Sequence, residues 1–216
     1  DAWVKEIYPM IMEKCVSLSH YTELTDAIAA TLKDEKWIRE IYQDIETKST
    51  GNSDLVKLGA IVVKKLNDKA WAADLLKKAE AGCKTMYDYT FVAGAYLRLL
   101  EDREKAGALF EAAEATCTDR QAYSQLVPLV QGQTTDTAFL ARILISAKQK
   151  LTGFEDMLFL AQTALIQLKD PQLAAQLYTL AEEKASDTHR LSRLATSLEG
   201  QMDDSAWASR VLRRIF

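Results

Sequence analysis

Glycine and proline are scarce in this chain, eight and three residues in 216, so little interrupts the Ala, Leu, Lys, Glu and Gln that dominate it. Those are strong helix formers, and an all-α class follows. Cysteine occurs three times, at Cys15, Cys83 and Cys117. An odd number of widely spaced thiols argues against both a disulfide framework and a zinc site. Histidine occurs twice, at His20 and His189, near opposite ends of the sequence and in no shared motif. No apolar run reaches the roughly 18 residues that span a bilayer, because charges interrupt every candidate, such as Leu58 to Val63. One-signed charge is missing as well: 27 Lys and Arg stand among 31 Asp and Glu, giving a net charge of −4. That balance supplies no cationic field for a nucleic acid or an anionic lipid surface. Finally, there is no Gly-rich phosphate loop, no nucleophile elbow and no His-Glu-x-x-His helix. Paired carboxylates such as Glu182-Glu183 sit on polar helix faces and need no catalytic explanation. The expectation is therefore no catalysis, no cofactor and no metal.

What is present is a period. Asp34, Asp68, Asp102, Asp136, Asp170 and Asp204 are each 34 residues from the next. Three residues after them stand Trp37, Trp71, Phe139, Leu173 and Trp207, with Lys105 the exception, and Trp3 lies one period earlier. After each Asp, apolar residues recur at three- and four-residue steps, as in Trp71, Ala72, Leu75, Leu76 and Ala79, which makes one stripe on a helix. The Asp suits the N-cap, where its carboxylate accepts from a free backbone N–H, and Asp170-Pro171 adds proline at the first helical position. A second helical pattern, Tyr89, Val92, Ala93, Tyr96 and Leu100, precedes each cap. Ser53, Thr118 and Ser186 are its candidate caps. About two residues separate this helix from the next Asp, so the pair must fold back as an antiparallel hairpin.

The segment Asp102 to Ala113 resembles the second helix of the tetratricopeptide repeat, with Ala106, Phe110 and Ala113 on its alanine, aromatic and alanine positions. Ala72, Leu76 and Ala79, and Ala174, Tyr178 and Ala181, fit in the same way. Leu58-Gly59 with Val62, Val92-Ala93 with Tyr96 and Leu160-Ala161 with Ala164 resemble the family's first helix, shifted by one residue relative to the Asp. The family's proline after the second helix is missing from every unit. The resemblance implies a right-handed α-solenoid of antiparallel helix pairs with a 34-residue repeat: one domain over residues 1–216, an orphan helix near 2–14 and then six helix pairs. Because the chain opens on Asp1 and ends at Arg213-Arg214-Ile215-Phe216 without a longer polar cap, we expect a longer parent chain. With no membrane-spanning run in the sequence, the expected location is cytoplasmic. The fourth unit is irregular, with Pro128 inside its first helix and Gly132 to Thr135 replacing the apolar ending; this is a local kink or else a hinge. The cysteines share a position with Ser49, Leu151 and Ala185, which points to packing rather than reactivity. The Trp and Tyr columns read as packing between helices rather than as platforms for bases.

The function that the resemblance implies is a protein-interaction scaffold, holding a peptide or a partner helix on its concave face. Alternatives are a regulatory or assembly segment of a larger enzyme, or a pentatricopeptide-like RNA reader, which would need a basic groove and usually a 35-residue period. Carried over by position, the groove-facing residues are Ser53, Val56, Ala60, Val63, Lys64, Tyr87, Thr90, Gly94, Leu97, Arg98, Gln121, Ser124, Leu158 and Gln162, with Tyr87 and Arg98 the best hot-spot candidates by residue type.

Overall fold

The computed structural model describes residues 6, 7, 10, 11, 14, 18–32, 35–49 and 51–215, and every structural statement below concerns these. Trp3, Cys15, Asp34 and Phe216, and most of the expected orphan helix, lie outside them. The described chain is all-α, with no strand. Its α-helices are α1 (Leu18–Leu32), α2 (Glu35–Lys48), α3 (Asn52–Leu66), α4 (Lys69–Ala81), α5 (Met86–Ala95), α6 (Arg103–Ala115), α7 (Arg120–Gln133), α8 (Thr137–Lys150), α9 (Phe154–Thr163), α10 (Pro171–Lys184), α11 (Thr188–Met202) and α12 (Ser205–Leu212). Two π-helical turns, π1 (Tyr96–Leu100) and π2 (Ala164–Leu168), extend α5 and α9. None of these helices is long and apolar enough to cross a membrane.

Each even-numbered helix from α4 onward begins at the expected aspartate. The carboxylates of Asp68, Asp102, Asp136, Asp170 and Asp204 accept from the backbone N–H of Trp71, Lys105, Ala138, Leu173 and Trp207 at 2.8–3.0 Å. Each such bond satisfies a donor that the helix cannot, worth about 1 kcal/mol. Three of the first-helix caps differ from expectation. Gly51 rather than Ser53 precedes α3, Asp119 rather than Thr118 caps α7, and Asp187 rather than Ser186 caps α11. A carboxylate opposes the helix dipole better than a hydroxyl does, so where Asp follows Thr or Ser, the Asp takes the role. Ser186 Oγ instead accepts from Arg190. The residue before four of the second-helix caps is left-handed: Asn67, Glu101, Lys169 and Asp203 have φ of 51–57°. One such residue reverses the chain direction between two helices. The irregular α7 ends differently, with Thr134 extended (φ −154°) before Asp136.

The chain forms two compact units, residues 1–106 and 107–216, with the boundary inside α6. In the first, α1 packs with α2 and α3 with α4; in the second, α7 packs with α8, α9 with α10 and α11 with α12. The apolar stripes supply the core. Ala72, Leu75, Leu76 and Ala79 of α4 are 0% exposed, as are Leu58 and Val62 of α3. Ala174, Tyr178 and Ala181 of α10 and Leu160, Ala161 and Ala164 are likewise fully buried. Alanine at these positions lets helix axes approach closely while the larger residues fill the space beside them.

Candidate functional site

In the first unit, the expected binding residues lie on α3, α5 and π1, two first helices that touch each other. Ser53 and Lys64 are exposed near opposite ends of α3, Ala60 and Val63 are half-buried, and Lys64 has no ion-pair partner among the described residues. On α5, Tyr87 is 54% exposed. Arg98 is exposed on π1 beside half-buried Leu97. Val56 and Thr90 depart from expectation: they are 5% and 1% exposed, and the Thr90 hydroxyl donates to the Met86 carbonyl 2.8 Å away. Gly94 is buried too. In the second unit Gln121 and Ser124 are exposed on α7, Gln162 is half-buried on α9, and Leu158 is 3% exposed. Thus residues 56, 90 and 158 belong to the core as the chain stands, while Ser124, at the same repeat position, is exposed. The remaining side chains are the accessible part of the expected surface.

Side-chain bonds hold the first helices of the second unit side by side. At their N-terminal ends Glu155 of α9 takes Arg120 of α7 at 3.4 Å and Arg193 of α11 from its other side. Gln162 Nε2 lies 3.5 Å from Ser197 Oγ, linking α9 to α11. Gln131 donates to Gln167 Oε1 at 2.6 Å, linking α7 to π2. Arg190 stands over the Phe154 ring at 5.9 Å. Beside the Gln131–Gln167 bond lies a recess of 210 Å³ bounded also by Val130, Thr134 and Leu140.

A row of glutamates on the second helices escaped the sequence reading, although Glu46, Glu80, Glu114 and Glu182 keep the 34-residue spacing with one gap at Lys148. Glu46 Oε2 accepts from the Trp71 indole at 2.8 Å, and Glu182 Oε2 from the Trp207 indole at 2.7 Å. Glu80 receives Lys105 at 3.7 Å and the Tyr96 hydroxyl at 3.2 Å. That explains the odd member of the Trp column: Lys105 reaches the same carboxylate row as the indole N–H. Glu114 holds the Tyr123 hydroxyl and, at 3.0 Å, Lys150. Phe139 has no donor to offer a carboxylate and packs on Phe110 with ring centroids 5.2 Å apart. Trp71 is half-buried rather than fully covered, because its indole must reach Glu46 while Arg39 stands 5.4 Å from its ring. Burial works to raise the Glu182 pKa, but hydrogen bonds from Trp207, Arg210 and Arg214 outweigh it and hold the carboxyl below its usual range.

These charges anchor helices to one another. Cys83 and Cys117 are free and buried. Burial pushes the Cys83 thiol up to about 11 and raises Cys117 as well, so neither presents a thiolate at neutral pH. Among the described residues no three metal-ligating side chains gather in one place. Comparison with family models, curated proteins and solved structures gives no match for this chain.

Proposed function

We propose that the chain is a tetratricopeptide-like α-solenoid acting as a non-catalytic scaffold, which receives a segment of another protein on the face made by its first helices. The observation that carries this reading is the set of bonds from Arg120, Gln131, Gln162 and Arg193 that tie α7, α9 and α11 into one surface. A surface assembled from several helices, fixed by side-chain bonds and leaving other polar side chains outward, is suited to gripping an elongated partner. The 34-residue spacing of the Asp caps and the buried Ala and Leu stripes support the family reading. In the first unit Tyr87 and Arg98 are the residue types that dominate binding energy.

The test is capture of partners by the full chain, side by side with the double variant Tyr87→Ala, Arg98→Ala and with Ile145→Asp, a substitution at an exposed position of the second helix α8. The double variant is expected to weaken the captured partners severalfold or more, and Ile145→Asp to leave them unchanged. Retention by the double variant with loss in Ile145→Asp would place binding on the second helix α8 and end the proposal.

A further inference from the structure

We draw no further inference here: the strongest candidate, the face of α12 on which Leu212 is 39% exposed although its counterparts at 34-residue spacing, Tyr42, Leu76, Phe110, Leu144 and Tyr178, are 0–2% exposed, carries nothing because nothing in the structure shows what covers it.

Discussion

The sharpest stability prediction concerns the buried pair Tyr123 and Glu114. Tyr123 is 0% exposed, and its hydroxyl donates to a carboxylate whose side chain is 9% exposed and whose other partner is Lys150 at 3.0 Å. Tyr123→Phe keeps the ring and removes only the hydrogen bond. A bond to a charged acceptor is worth about 1.5–3 kcal/mol, which for a chain of this length lowers the melting temperature by roughly 4–10 °C. Glu114→Leu removes the acceptor and strands the tyrosine hydroxyl in the core, at a cost of about 1–3 kcal/mol. Lys150, 38% exposed, can then turn to water. Because both single variants break the same bond, the double variant should cost less than their sum by about 1–3 kcal/mol. Urea titrations of the four proteins followed by circular dichroism measure this cycle. Additivity within about 0.5 kcal/mol, together with an unchanged Tyr123→Phe midpoint, would refute the bond's role.

Two further outcomes follow from backbone and titration. Lys169 is exposed and holds φ 54° at the end of π2, a conformation costing a side-chain-bearing residue about 1–2 kcal/mol, of which glycine recovers all but about 0.5–1 kcal/mol of added chain entropy. Lys169→Gly should therefore raise the melting temperature slightly, and a clear decrease would contradict that reading of the turn. Burial raises the tyrosines: Tyr42, Tyr96 and Tyr123 go up, and Tyr178 is pushed up to about 12. Since the fold holds them neutral, their contribution is complete below about pH 10, where an unfolded tyrosine titrates, and is lost as pH rises above it. Phenolate absorbance and helix content, followed together, should show these tyrosines ionising only as helix melts. Full ionisation of all eight tyrosines with helix intact would show that they are not buried.

The expected surface was only partly legible. Of the residues assigned outward by position in the resemblance, Tyr87, Arg98, Lys64, Gln121 and Ser124 are exposed, whereas Val56, Thr90, Gly94 and Leu158 are buried. A helix periodicity assigns a face, but a position at the edge of that face is open or closed according to how near the adjacent helix lies. Gln131, Gln167 and Ile166 were present in the residues too, yet the bond between the two glutamines and the exposure of Ile166 became visible only in the structure.

The local features were written in the residues themselves. Asp68, Asp102, Asp136, Asp170 and Asp204 cap helices because each carboxylate reaches a backbone N–H two or three residues ahead. Leu75, Leu76 and Ala79 are buried because their spacing puts them on one stripe. Tertiary structure alone decided that Trp71 meets Glu46, that Lys105 meets Glu80, and that Glu155 is held between two arginines. Those pairs are separated by 25 to 38 residues, and no periodicity within one helix specifies which side chain of another helix will stand opposite. That is set by the distance and angle at which the helices pack, and these depend on the volumes of every residue between them.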